Sequence, residues 1–101
     1  MKEELNQGDI LKIEYIKKPV LVVSKDFFNK TSEIIGCPIY EKGEAGPLHI
    51  YIKTEEVQGY VQCEKLALLD MKIRGYTKLD RIHMPEIIDI TDAIQGIFDY
   101  I

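Results

Sequence analysis

Four tyrosines, Tyr40, Tyr51, Tyr60 and Tyr76, are interleaved along the chain with the basic residues Lys17, Lys18, Lys72, Arg74, Lys78 and Arg81. Aromatic rings give unpaired bases a face to stack on, and ammonium or guanidinium groups neutralise phosphates, so these residue types together suit a single-stranded nucleic acid. The same basic run from Lys72 to Arg81 would also serve as a plain solvated connection. His49 alternates outward from Leu48 and Ile50. An imidazole titrates near neutrality and can move a proton there, although an ordinary surface histidine would show the same pattern. Cys37 and Cys63 stand in neither a CxxC nor a Cys/His spacing. They read as small apolar residues on strands, with no metal site and no cofactor expected.

These side chains belong to a chain of 101 residues, which predicts one domain over 1–101. A hydrophobic fraction of 46% with 30% charged residues is that of a soluble globular protein. The net charge of −4 argues against strong nonspecific binding to nucleic acid, while leaving room for a local basic groove. No apolar run approaches the roughly 18 residues that a membrane span needs. The opening MKEELNQGD lacks the apolar core of a secretory signal, so the expected compartment is the cytoplasm.

The elements that must position the site are short. Ile10–Ile16 alternates loosely as a half-buried strand, and Val20–Val23 is a β-branched, buried one with Pro19 at its beginning. Ser24–Ser32 reads as a turn or helical loop. Ile34–Tyr40 is a third strand, with Gly36 and Pro38 marking a bend. Leu48–Ile52, Gly59–Cys63 and Leu66–Leu69 follow, and residues 71–83 have no clear period. Pro85 suits the first turn of a helix whose stripe is Ile87, Ile90, Ile94, Ile97, Phe98 and Ile101. His83 reads as the residue leading into that helix. Six short strands with turn punctuation predict a mostly β barrel or sandwich, closed by one C-terminal α-helix.

Several segments resemble one family in the same order along the whole chain. Gly8–Asp9–Ile10, Lys18–Pro19–Val20–Leu21–Val22, Ile34–Ile35–Gly36–Cys37–Pro38 and Asp70–Met71–Lys72–Ile73–Arg74–Gly75, continuing to Lys78–Leu79–Asp80–Arg81, resemble the PemK/MazF (Kid-like) toxins of type II toxin–antitoxin systems. That resemblance implies an SH3-like barrel of the CcdB/MazF kind, acting as a homodimer. It implies an antitoxin partner, metal-independent cleavage of single-stranded RNA, and operator-DNA binding together with the antitoxin.

Cleavage without a metal uses the substrate's own 2′-hydroxyl as nucleophile, and needs a base, an acid and a cation for the charged phosphorane. The resemblance places Lys18 where the family has an arginine, Tyr40 where it has a threonine or serine, and Asp70 on the family's aspartate, and a single closed sheet is expected to bring the three near one another. The arginine that accompanies that aspartate is Ala67 here. Lysine keeps the charge but loses the two-point fork of a guanidinium. The turn Tyr15–Pro19 is also too short for the family's long loop over RNA. Two functions therefore stand at this stage. One is an endoribonuclease using Lys18, Tyr40, Asp70 and His49, with Lys17, Lys72, Arg74, Lys78, Arg81 and Tyr76 on the RNA. The other is a catalytically degenerate relative that binds protein or nucleic acid as a regulatory module.

Overall fold

The computed structural model describes residues 4–99. The chain runs β1 (Asp9–Ile13), β2 (Val20–Val22), α1 (Asp26–Asn29), β3 (Glu33–Tyr40), β4 (His49–Lys53), β5 (Gln58–Gln62), β6 (Ala67–Asp70), β7 (Tyr76–Arg81) and α2 (Met84–Phe98). All strands belong to one curled antiparallel sheet in the order β4-β5-β3-β2-β1-β7, with β6 also on β3. The sheet forms a half-barrel. Its two outer strands approach each other through Asp80 of β7, whose Oδ2 accepts the Glu56 N–H of the β4–β5 turn at 3.3 Å.

Strand β3 organises the sheet. Its first half pairs with β6 (Glu33↔Asp70 to Gly36↔Ala67) and its last two residues pair with β5 (Ile39↔Val61, Tyr40↔Tyr60). Pro38, which has no N–H to donate, falls where β6 gives way to β5. The bend expected at Gly36–Pro38 is thus the place where β3 changes partner on that edge. Gly36 also lets β2 close in, since a Cβ there would stand 2.5 Å from Val20 Cγ1.

The central strands are buried on both faces, because side chains alternate across a strand. Ile10, Leu21, Cys37, Ile39, Ile52, Val61 and Cys63 face one core, which Ile87 and Ile90 of α2 cover. Leu11, Ile13, Val20, Val22, Ile34, Leu69 and Met71 face a second. Strand β1 alternates only loosely because Ile10 faces the first core while Leu11 and Ile13 face the second; the register shift against β7 leaves Leu79 as the extra residue on that strand. Both cysteines are buried and free, as small apolar residues.

Two expectations change. Residues 76–81 are not a loose connection but an edge strand pairing with β1 over Asp9↔Arg81 to Ile13↔Tyr76. The first strand ends at Ile13, where Tyr15 turns the chain with a φ of 67°. The segment 24–32 does hold a helical turn, pinned by buried Asn29, whose Nδ2 donates to the Leu5 and Ser24 carbonyls. His83 leads into α2, and its N–H donates to Glu86 Oε1 at 2.9 Å. The helix buries only the first part of its stripe: Ile97 and Phe98 are exposed, and Ile101 lies outside the described residues.

Candidate nucleic-acid interface

Alternation along β3, β5 and β4 sends Ile39, Val61 and Ile50 towards the α2-covered core and their neighbours to the opposite face. Those neighbours are tyrosines in register. Tyr40 pairs with Tyr60, and Tyr60 pairs with Tyr51, so three tyrosines occupy neighbouring positions on one face across three strands. The Tyr51 and Tyr60 centroids are 5.2 Å apart with planes tilted by 59°. Strand spacing of about 4.8 Å sets this distance, and a mixed edge-and-face arrangement suits the ring quadrupoles.

Lys18 joins the ladder at Tyr40. The Ile39 N–H donates to the Pro19 carbonyl at 2.9 Å, which ties the residue after Lys18 to the end of β3. The Lys18 ammonium then stands 5.4 Å from the centroid of the Tyr40 ring. Lys65, just past β5, stands 5.5 Å from the same centroid. Lys17 and Lys18 also line a cleft of about 420 Å³ with Glu41, Glu56, Gln58 and Leu79.

His49 lies on the same face, two residues from Tyr51 along β4 and opposite Gln62. Its Nε2 is 2.9 Å and 3.1 Å from the two Glu64 carboxylate oxygens. That hydrogen bond is the main cause holding the Glu64 carboxyl below its ordinary value. With the Nε2 proton committed to Glu64, the neutral ring presents Nδ1 as an acceptor. Two strand spacings separate His49 from β3, near 10 Å at the backbone.

Asp70 is elsewhere. It pairs with Glu33, whereas Tyr40 is at the other end of the eight-residue β3, roughly 23 Å away along the strand. The expected meeting of Lys18, Tyr40 and Asp70 is therefore corrected to Lys18 with Tyr40 alone. Asp70 behaves as a turn residue, its Oδ1 accepting the Lys72 N–H at 3.0 Å.

The basic run also divides. Lys72 and Arg74 sit in the β6–β7 connection, and Lys78 and Arg81 on β7, the edge strand opposite β4 in the sheet order. Lys78 pairs with buried Asp9 at 3.3 Å and donates to the Glu4 carbonyl. Tyr76 packs against the second core. Arg74 has a buried Nε without a hydrogen-bond partner, and Arg81 is exposed beside a cleft shared with Thr54, His83 and Glu86. None of these residues adjoins the tyrosine ladder in the sheet. Sequence reasoning missed Lys65 and Glu64, because nothing in residue order announces which strand pair they will flank.

A family model described as PemK-like, MazF-like toxin of type II toxin–antitoxin system matches residues 6–98. Among solved structures, MazF in a MazE–MazF crystal from Deinococcus radiodurans superposes with a TM-score of 0.86 at 17% identity, over 96% of this chain and 98% of that one. An endoribonuclease from Mycobacterial species gives 0.82 at 17% identity, over 95% and 92%. An endoribonuclease in complex with its cognate antitoxin, also from Mycobacterial species, gives 0.78 at 18%, over 93% and 94%. No curated protein sequence matches.

Proposed function

The chain belongs to the PemK-like, MazF-like toxin family of type II toxin–antitoxin systems, and on that premise we propose that it is a metal-independent endoribonuclease acting on single-stranded RNA. The observation that carries this reading is the face on which Lys18 meets the ladder Tyr40–Tyr60–Tyr51. Rings in register accept successive unpaired bases, and the ammonium at one end places positive charge against the backbone.

In this reading the RNA supplies its own 2′-hydroxyl as nucleophile. His49, oriented by Glu64, takes that proton on Nδ1, as a base held by a carboxylate does elsewhere. Lys18 stabilises the charge that develops on the phosphorane, and the Tyr40 hydroxyl gives its proton to the departing 5′-oxygen as the P–O5′ bond breaks and the 2′,3′-cyclic phosphate closes. Asp70 acts in the β6 turn rather than in this cluster. The requirement for a 2′-hydroxyl selects RNA over DNA.

The test is mixed-sequence RNA incubated with the purified protein in EDTA. Cleavage leaving a cyclic phosphate, lowered about 10²–10³-fold in Lys18→Ala, is the expected result. Intact RNA would refute the nuclease. A second reading, a catalytically degenerate binding module, draws on the separation of Asp70 from Lys18 and predicts bound but uncut RNA.

The partners follow from the same premise. An antitoxin is supported by the MazE–MazF and mycobacterial complexes, and operator DNA would be bound jointly with it. An apolar groove of about 650 Å³ between α2 and the sheet, lined by Val23, Ile35, Leu66, Ile88, Ile94 and Phe98, suits a protein surface, including that of a second copy in a homodimer. Among the described residues no helix is long and apolar enough to cross a membrane. Two buried free thiols suit the reducing cytoplasm.

A further inference from the structure

Lys18 and Lys65 come from different parts of the fold, one leading into β2 and the other following β5, yet both ammonium groups end on the Tyr40 ring at 5.4 Å and 5.5 Å. Like charges brought to one place need a counterweight. Among the described residues neither lysine forms an ion pair. Glu64, the acid next to Lys65, is engaged chiefly by His49, and Lys65 acts on it only as a nearby charge. Each ammonium lies within cation–π range of the Tyr40 ring, an attraction that is weak where water has access, with Glu64 beside Lys65 and Glu41 and Glu56 lining the cleft beside Lys18. Both lysines are exposed. An anion with stronger claims on an ammonium would displace that contact.

We propose that Lys65 and Lys18 form a two-phosphate clamp that grips successive phosphodiesters of a single strand, on either side of the nucleotide seated on Tyr40. This rests on the nucleic-acid reading of the same face and adds a residue to it. Each ammonium leaves the ring for a phosphate, so the ring face is freed when a base needs it. The ring thus keeps the two lysines folded inwards in the free protein and exchanges them for a base in the complex. Tyr60 and Tyr51 continue the platform in the direction the register sets.

The prediction is quantitative, because each phosphate neutralised on a single strand adds about 0.7 to the slope of log affinity against log salt. Binding of a 5′-fluorescein single-stranded oligonucleotide is read by anisotropy at several salt concentrations. A 2′-deoxy strand of mixed sequence serves as the probe, so that cleavage does not interfere. Lys65→Ala and Lys18→Ala each lower the slope by about 0.7 and weaken binding by about fivefold at 0.1 M salt. Lys65→Arg keeps the slope, and Lys30→Ala, at the end of α1, leaves it unchanged. A Lys65→Ala slope equal to that of Lys30→Ala overturns the clamp and leaves the nucleic-acid reading intact. Absence of binding by the unaltered protein to either this probe or the matching RNA overturns both.

Discussion

Gly59 and Tyr40 touch at the backbone. A Cβ on Gly59 would stand 2.5 Å from the Tyr40 carbonyl oxygen and 3.0 Å from Ile39 Cγ2, and Gly59 has a φ of 154°. Any other residue would have to push the end of β3 outward while adopting a conformation that a side chain disfavours. Gly59→Ala is therefore expected to destabilise the fold by about 2–4 kcal/mol, combining overpacking with backbone strain. Urea unfolding at unchanged slope measures it. Gly46→Ala is the comparison: its added Cβ meets nothing within 4 Å, and a change within about 0.5 kcal/mol is expected. Equal midpoints for the two variants would show that β3 and β5 are not in this contact.

Asp9 and Lys78 give a prediction that separates stability from binding. The Asp9 side chain is 6% exposed, and its Oδ2 accepts the Asn6 N–H at 2.8 Å besides facing the Lys78 ammonium. Removing the lysine leaves a buried carboxylate without its cation. Lys78→Ala should cost about 2–4 kcal/mol, at the lower side for buried pairs because Lys78 is partly exposed. Asp9→Ala, Lys78→Ala and the double variant should show a coupling of about 1–3 kcal/mol by chemical unfolding. The oligonucleotide affinity of folded Lys78→Ala should stay where it was. A loss of affinity without a loss of stability would return Lys78 to the binding surface.

How much of this was legible in the sequence depended on whether the signal was local. The alternation Leu48, Ile50, Ile52 and the stripe from Ile87 onward report burial directly, and both cysteines read correctly as core. Strand β7 hid because its inward positions include Lys78, whose charge is answered by Asp9, distant in sequence. Collinear resemblance placed the barrel, since the order of segments survives divergence. It suggested a cluster of Lys18, Tyr40 and Asp70 that the fold does not make, because β5 and β6 occupy opposite ends of β3. The tyrosine ladder, Glu64 and Lys65 depend on register, which no single strand encodes.

The two buried thiols should make the protein sensitive to alkali. Burial is the main cause that pushes Cys37 from 9.0 up to about 12 and Cys63 from 9.0 up to about 11. In the unfolded chain both lose their protons near pH 9. The native state thus holds more protons between pH 9 and 11–12. Their contribution to stability is complete below about pH 9 and is lost as pH rises through that window. Urea midpoints in reductant should fall between pH 9 and 11, and Cys37→Ala should flatten the fall. Ellman's reagent should react slowly with the native protein at pH 8 and with both thiols in denaturant. Rapid native labelling would place a thiol at the surface.

The His49–Glu64 pair should titrate in the opposite sense. Glu64 is exposed, and its carboxyl is held below 4.5 chiefly by the hydrogen bond from His49. A depressed acid stabilises the fold above its unfolded value and loses that contribution as pH falls through its folded one. Water and salt screen an exposed pair, so the effect on global stability is small. The informative readout is local. The Glu64 carboxyl carbon, followed by NMR from pH 7 to 2, should titrate below 4.5 in the native protein. In His49→Ala it should move up towards 4.5. An unmoved midpoint would mean that the imidazole is not held by Glu64 in solution, and the orientation that leaves Nδ1 free as a base would lose its support.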